Sequence, residues 1–154
     1  MSLLVHPHPP AGDGTVLDIT PASAGWKYVG FRVIHLAAGA SYNRVENGRE
    51  ACVVVLTGTV SIMAGGESFE TQNPFTAETW ATSVYVPAGH RYRIEAVSDA
   101  EIAICTAPGT GAGAVRLIRS DAVEVRGQGT NTRHVRNILS DTDAAESLLV
   151  VEVI

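Results

Sequence analysis

Turn-forming glycine and proline residues divide most of this chain into short segments of strand-forming residues. Gly39, Gly58 and the tripeptide Pro87-Ala88-Gly89 are three such points, and we call them the turn frame. Between them, residues 52–56 form a continuous apolar run, whereas residues 59–63 alternate between apolar and polar. A continuous run is typical of a strand covered on both faces, and alternation is typical of a strand with one buried face. No convincing amphipathic helix separates these segments, so they predict an antiparallel sandwich or barrel.

The composition excludes several classes of protein. At 154 residues, of which 45% are hydrophobic, the chain can build one domain, or one domain and the start of another. Its net charge of −5 argues against a nucleic-acid partner, and no apolar run is long enough to span a membrane. The N-terminus lacks the pattern of a secretion signal. Cys52 and Cys105 lie in apolar runs and favour buried free thiols over a disulfide, so we expect a cytoplasmic protein.

The turn frame resembles the two cupin signatures, G-x5-H-x-H-x3-E-x6-G and P-x-G-x2-H. On this sequence the four metal-ligand positions of those signatures fall on Val45, Asn47, Ala51 and Tyr92. None of these side chains supplies the imidazole, thiolate or carboxylate that such metal sites use. The resemblance therefore implies an all-β, cupin-type antiparallel jelly-roll barrel whose usual metal positions are degenerate, with no metal cofactor in this chain.

An alternative metal site uses the neighbouring residues. A change of one residue in strand register turns the other set of side chains inward. Glu46 and Glu50 would then face the barrel interior, with His90 close by. The opposing interpretation is that His90 is a surface or rim histidine.

The chain changes character after residue 106. Residues 107–113 are small and flexible, and the stretch 125–138 is polar. One interpretation of this stretch is that Arg133 and Asn137, together with Asn131 and Arg136, bind the carboxylate of a sugar acid. The other is that it is a connector held by hydrogen bonds between side chains and backbone. Both remain open.

We divide the chain into four parts. Residues 1–24 form an N-terminal arm and first strand, 25–119 the barrel, and 120–146 a connector. Residues 147–154 are strongly apolar and form a strand that either pairs back onto the barrel or begins a second barrel missing here.

Four segments resemble the bacterial 5-deoxy-glucuronate isomerases of inositol catabolism, which are bicupins about twice this length. The most distinctive is Gly127-Gln128-Gly129-Thr130-Asn131-Thr132-Arg133-His134-Val135-Arg136-Asn137-Ile138-Leu139. The others are Ser23-Ala24-Gly25-Trp26-Lys27-Tyr28-Val29-Gly30-Phe31, Tyr85-Val86-Pro87-Ala88-Gly89 and Ala145-Glu146-Ser147-Leu148-Leu149-Val150-Val151-Glu152-Val153.

This resemblance implies an aldose–ketose isomerase that converts 5-deoxy-glucuronate to 5-dehydro-2-deoxy-gluconate. Related pectin-pathway isomerases bind zinc in their C-terminal barrel, so a zinc-like divalent metal is expected only in a C-terminal barrel that this chain lacks. The chain is then expected to be the metal-free N-terminal half, structural or oligomerising and inactive alone. Its expected partners are its own C-terminal barrel, further copies of itself and a sugar-acid substrate. The alternative is a free-standing, non-catalytic cupin that binds a small sugar acid.

Overall fold

The computed structural model describes residues 4–73, 82–119 and 123–153, and their regular structure is almost entirely β-strand. The strands are β1 (Thr15–Ile19), β2 (Gly30–Leu36), β3 (Ser41–Val45), β4 (Arg49–Ala64), β5 (Glu67–Asn73), β6 (Thr82–Val86), β7 (Arg91–Ala96), β8 (Ala100–Pro108), β9 (Arg116–Arg119), β10 (Val123–Arg126), β11 (Arg133–Leu139) and β12 (Val150–Val153). A single helical turn, α1 (Pro21–Ala24), follows β1, and a 3-10 turn (Gly129–Asn131) precedes β11.

Strand β4 connects the two layers of an antiparallel barrel. Its first half pairs with β8 and β6, and its second half pairs with β5 and β7. The first layer runs β1-β2-β8-β4-β6-β9, while β3 joins the second layer through β7. The change of layer occurs where the β4–β8 register shifts, between Val55 and Thr57, beside Gly58. A strand that passes from one sheet to the other at a bend is a common way to close such a barrel, and the expected cupin-type jelly roll is confirmed.

The inner core fills the space between the two layers. Fully buried side chains from five strands of the barrel contribute to it: Ile34, Val53, Val55, Val60, Ile62, Val84, Tyr92, Ile94, Ile102 and Ile104. Val60 and Ile62 both point into it, which confirms the alternation predicted for residues 59–63.

A second core lies on the outer face of the first layer. Here Cys52 and Val54 of β4 pack with Ile138 and Leu139 of β11 and with Leu148. Strands β10, β11 and β12 form a separate antiparallel sheet, which we call the C-terminal sheet, and it covers this face of the barrel. Because both faces of β4 are covered here, its apolar run is continuous, as the sequence predicted.

Strand β12 pairs with β11 and therefore belongs to the C-terminal sheet. Leu148 and Val150 nevertheless pack against the barrel. The expected domain boundary at residue 120 and the last residue of the expected 147–154 strand, Ile154, lie outside the described residues.

Both cysteines are free thiols on paired strands, with Cys52 opposite Cys105 across β4 and β8. Burial raises the pKa of Cys52 to about 12 and that of Cys105 to about 11, so both stay protonated at neutral pH. In the described part of the chain, no helix has the length and apolar character needed to cross a membrane.

The glycines of the turn frame are required by backbone geometry. Gly39, Gly58 and Gly89 all have positive φ, at 81°, 84° and 78°. This region is strained for residues that carry a Cβ atom. At Gly58 a Cβ would also collide with the Asp99 carbonyl oxygen and lie 2.8 Å from Ala100 Cα, whereas at Gly39 it would meet nothing within 4 Å.

We therefore expect Gly58→Ala to be more damaging than Gly39→Ala. The Gly39 variant adds only backbone strain and should lower the free energy of unfolding by about 1–2 kcal/mol. The Gly58 variant adds a backbone collision and should cost about 3 kcal/mol or more. Urea unfolding followed by tryptophan fluorescence measures both, and equal losses at the two positions would contradict the collision.

Candidate functional site

The four degenerate metal positions do not converge on one point. Ala51 and Tyr92 are buried in the inner core, whereas Val45 is only partly buried and Asn47 lies exposed in the turn before β4. Side chains alternate along a strand, so Tyr42, Arg44 and Glu46 share one side of β3 and its extension, opposite Val45. The inward position beside Tyr92 is therefore occupied by Glu46.

Glu46 is the centre of a polar network at one end of the barrel. Its Oε1 atom accepts hydrogen bonds from Arg32 Nη1 at 3.2 Å, Arg44 Nε at 3.2 Å and Tyr92 Oη at 3.3 Å. Arg32 also donates to Tyr42 Oη and to Asp18 Oδ2. Burial, followed by the nearby Glu46 charge, raises the pKa of Tyr92 far above its ordinary value. Tyr92 thus remains a neutral donor.

This network borders a cavity of about 170 Å³, which we call the barrel mouth. The residues around it come from β1, α1, β2, β3, β4 and β8 and the turns beside them: Asp18, Ile19, Thr20, Pro21, Gly30, Phe31, Arg32, Arg44, Glu46, Arg49, Ile104 and Thr106. Gly30 keeps part of the mouth open, because a Cβ there would lie 2.7 Å from Thr106 Oγ1 and 3.5 Å from Arg49 Nη2.

A larger and more open groove, of about 620 Å³, lies beside the N-terminal arm. Its ionisable side chains already have polar partners: His35 Nε2 lies 3.1 Å from Glu101 Oε1, Asp13 accepts from the Thr15 amide, and Asp99 accepts from the Ala38 amide. The barrel mouth is therefore the better candidate for a ligand site.

Glu50 lies on the opposite face of β4 from the inner core and is fully buried. Its Oε2 atom accepts hydrogen bonds from Tyr85 Oη at 2.6 Å and the Glu146 amide at 2.8 Å. Its Oε1 atom accepts from the amides of Ser147 at 2.6 Å and Leu148 at 2.5 Å. A buried carboxylate needs such donors to offset its lost hydration. Glu50 thereby fixes residues 146–148 against the barrel.

Further contacts extend this attachment to residues 144–148, which we call the docked segment. Glu146 accepts hydrogen bonds from the amide and hydroxyl of Thr110 and from the amide of Gly111. Ser147 Oγ donates to the Pro108 carbonyl at 2.5 Å. Arg116 donates to the Ala144 carbonyl and stacks over the Tyr85 ring at 4.5 Å.

The four polar residues considered for the substrate carboxylate lie in different settings. Arg133 and Asn137 share one face of β11, and Arg136 lies on the other, since side chains alternate along the strand. Arg136 is buried and pairs with Glu152 at 3.2 Å. Arg133 is exposed and donates to the Thr132 carbonyl, and Asn131 lies exposed in the 3-10 turn. The structure does not gather them into one site.

The alternative metal trio is also dispersed. Glu46 contacts Tyr92 in the inner core, and Glu50 contacts Tyr85 in the second core, because the two carboxylates lie on different faces of the first layer. The Nδ1 atom of the His90 ring lies 3.4 Å from the Ala88 carbonyl oxygen. Over residues 4–73, 82–119 and 123–153, no three His, Cys, Asp or Glu side chains come together as metal ligands would. The donor set of the described residues does not fit a cupin metal.

Neither the arginines at the barrel mouth, Arg32, Arg44 and Arg49, nor the docking role of Glu50 was predicted from the sequence. Arg32 carried a signal, since it interrupts an apolar strand on the side shared by Ile34 and Leu36. Glu50 directly precedes the apolar run of β4, so a charge there implied either an exposed end or a buried partner. Its backbone partners lie 96 to 98 residues away along the chain, and Tyr85 lies 35 residues away, so local patterns do not show them.

Replacing Glu50 should release the docked segment. Glu50→Gln replaces one carboxylate oxygen with an NH₂ group, which is a hydrogen-bond donor facing other donors. We therefore expect a loss of about 3 kcal/mol in unfolding free energy. Hydrogen exchange at the amides of residues 146–148 should accelerate in parallel. Glu95→Gln, which alters an exposed pair with Arg93, is the control and should cost less than about 1 kcal/mol. Unchanged exchange at residues 146–148 would contradict the assignment.

Glu146 should make docking sensitive to acid. The hydrogen bonds from Thr110 lower the pKa of Glu146 below its ordinary value. A carboxylate whose pKa is lower in the folded state than in the unfolded state stabilises the fold. The stabilisation is fully present at pH values above the ordinary pKa and is lost as the pH falls through the lowered pKa.

We therefore expect Glu146→Gln to unfold at lower urea concentration than the parent chain at pH 7. The gap should narrow as the pH falls below about 4.3, the ordinary pKa of a glutamate. Urea midpoints measured from pH 7 to pH 3 test this, and a gap that stays constant over that range would argue against it.

Comparisons with known proteins agree with the barrel and with the resemblance described above. The chain is 43% identical over 160 residues to the 5-deoxy-glucuronate isomerase of Geobacillus kaustophilus, covering 99% of this chain and 58% of that protein. It is 37% identical over 144 residues to the 5-deoxy-glucuronate isomerase of Bacillus subtilis, covering 90% of this chain and 53% of the relative. The chain thus spans little more than half the length of these curated relatives.

Solved structures give the same result. An IolB-like protein from Salmonella typhimurium superimposes with a TM-score of 0.90 at 41% identity, covering 99% of this chain and 59% of that one. A putative glyoxylate-induced protein from Pseudomonas aeruginosa shares the fold alone, with a TM-score of 0.62 at 13% identity. The model of the KduI/IolB family matches residues 3–154. With the fold, the matched segments and these relatives in agreement, the chain belongs to the KduI/IolB family.

Proposed function

We propose that this chain is the N-terminal, non-catalytic half of an isomerase that converts 5-deoxy-glucuronate to 5-dehydro-2-deoxy-gluconate in inositol catabolism. The observation that carries the proposal is the combination of family membership with a barrel that lacks metal-binding side chains at the usual positions. The relatives bear the name of this isomerase, and the chain accounts for 58% of the length of one of them.

The chemistry of the reaction supports a catalytic centre outside this chain. An aldose–ketose shift removes a proton next to a carbonyl group and returns it to the neighbouring carbon. It needs a base with a pKa near the working pH, close to a group that stabilises the negative oxygen. At the degenerate positions, Ala51 and Val45 offer no base, and Tyr92 is kept neutral. We assign this barrel a structural role beside a second, catalytic barrel.

The outer face of the C-terminal sheet is the surface we propose for that second barrel. Val135 and Val153 are direct partners across β11 and β12, and Val151 lies one step along the same face. Val151 is 50% exposed, Val153 is 58% exposed, and the adjacent Leu149 is 61% exposed. Adjacent apolar side chains on an exposed sheet are typical of a surface that is covered by a partner. The remaining length of the relatives supplies such a partner.

A chimera tests the catalytic division. The chain alone should carry no stoichiometric metal and show no isomerisation of 5-deoxy-glucuronate by ¹H NMR. The chain fused to the remaining part of the Geobacillus relative should show turnover and bind a divalent metal. Turnover by the chain alone would contradict the proposal.

The docking surface is tested in the same chimera. Val151→Glu combined with Val153→Glu places two charges on the proposed interface and should reduce turnover at least tenfold, because buried charges lack partners there. Val97→Glu is the control, since Val97 is 66% exposed and lies in the bend after β7. Equal activity in both variants would place the interface elsewhere.

A further inference from the structure

The barrel mouth holds a guanidinium group that no carboxylate of the described residues neutralises. Arg49 Nε donates to Thr106 Oγ1 at 3.1 Å, and Nη2 donates to the carbonyl oxygens of Tyr28 at 2.5 Å and Thr106 at 3.1 Å. All of these acceptors are uncharged. A partly buried guanidinium ordinarily pairs with an anion, because neutral acceptors compensate only part of its lost hydration.

Arg44 adds a second set of donors to the same cavity. Its Nε atom is held by Glu46 Oε1 at 3.2 Å, which fixes the side chain. Within the described residues, neither of its Nη groups has a hydrogen-bond partner, and the side chain is 42% exposed. Arg44 and Arg49 both line the barrel mouth.

The charges around the mouth leave one positive charge in excess. Arg32 lies between Asp18 and Glu46 at 3.1 Å and 3.2 Å, and Glu46 also pairs with Arg44. These two arginines and two carboxylates cancel, so the charge of Arg49 is the surplus. A monoanion restores neutrality, whereas a dianion adds repulsion from Asp18 and Glu46.

The size of the cavity limits the ligand. About 170 Å³ corresponds to roughly six water molecules at about 30 Å³ each. This volume accommodates a carboxylate group and a few attached carbon atoms, with the rest of a longer molecule extending past the exposed Arg44. The carboxylate of Asp18, which is 41% exposed at the rim, can accept a hydrogen bond from a ligand hydroxyl.

We propose that the barrel mouth binds the carboxylate end of a small hydroxylated monocarboxylic acid, such as a sugar acid, through the N–H groups of Arg49 and Arg44. Guanidinium groups match carboxylates in geometry as well as charge. The site is a binding site, separate from the reaction assigned to the second barrel, and it stands whether or not the chain is half of the isomerase.

An NMR titration of the ¹⁵N-labelled chain with sodium D-glucuronate tests this. We expect saturable shifts of the amides of Gly30, Phe31 and Thr106. Methyl D-glucuronate, the neutral ester, and sulfate, a dianion, should bind at least tenfold more weakly. Absence of saturable shifts, or equal binding of the ester or of sulfate, would overturn the proposal.

Two variants locate the site. Arg44→Ala and Arg49→Lys should each weaken glucuronate binding roughly tenfold or more, since each removes charge-assisted hydrogen bonds. Arg93→Ala is the matched control, because Arg93 is an exposed arginine on β7 that pairs with Glu95. Arg44 is exposed and belongs to neither core, so we expect Arg44→Ala to fold. This variant therefore tests the site even if Arg49→Lys unfolds. Glucuronate affinity unchanged by Arg44→Ala would refute the site.

Discussion

The buried carboxylate of Glu50 joins the two parts of this molecule. It lies on the outer face of β4 and accepts hydrogen bonds from Tyr85 and from three consecutive backbone amides of the docked segment. An ionised carboxylate cannot be buried without such donors, and those amides would otherwise lack partners in the covered segment. The docked segment must therefore lie where its three amides are within hydrogen-bonding distance of Glu50. The position of the C-terminal sheet depends on this attachment, because Leu148 and Val150 adjoin the fixed amides and pack into the second core.

The turns that shape this barrel do not depend on the residues at its usual metal-ligand positions. Gly39, Gly58 and Gly89 are needed for positive φ, and this requirement holds whether or not a metal is bound. The ligand positions carry no such backbone constraint. Glu46 and Tyr92, with Arg32 and Arg44, fill the inward region with ion pairs and hydrogen bonds. A polar network with neutral Tyr92 as donor occupies this end of the barrel.

Sequence patterns were reliable where the determinants are local. The continuous run in β4, the alternation of Val60 and Ile62 and the turns at the frame glycines follow from neighbouring residues, and the structure shows them as predicted. They do not indicate which side chains of different segments meet in the folded chain. Asn137 and Arg136 are adjacent in the sequence, yet strand alternation places them on opposite faces of β11. Glu46 and Glu50, considered together as metal ligands, lie in different cores, because the turn at residues 47–48 separates β3 from β4, and Glu46 follows β3 whereas Glu50 belongs to β4.

Short stretches of sequence were enough to predict the strands at residues 52–56 and 59–63, the turns at the frame glycines, the barrel type and the family, because alternation, turn-forming glycines and motif spacing are local patterns. Strands β10 and β11 lie in the stretch that the sequence presented as a polar connector. The folded chain alone shows which carboxylate enters which core, which arginines meet at the barrel mouth and how the docked segment is held. Those outcomes depend on register between strands and on contacts across almost a hundred residues, as between Glu50 and Leu148. Burial then selects, among many charged residues, the few whose charge must be satisfied by a partner.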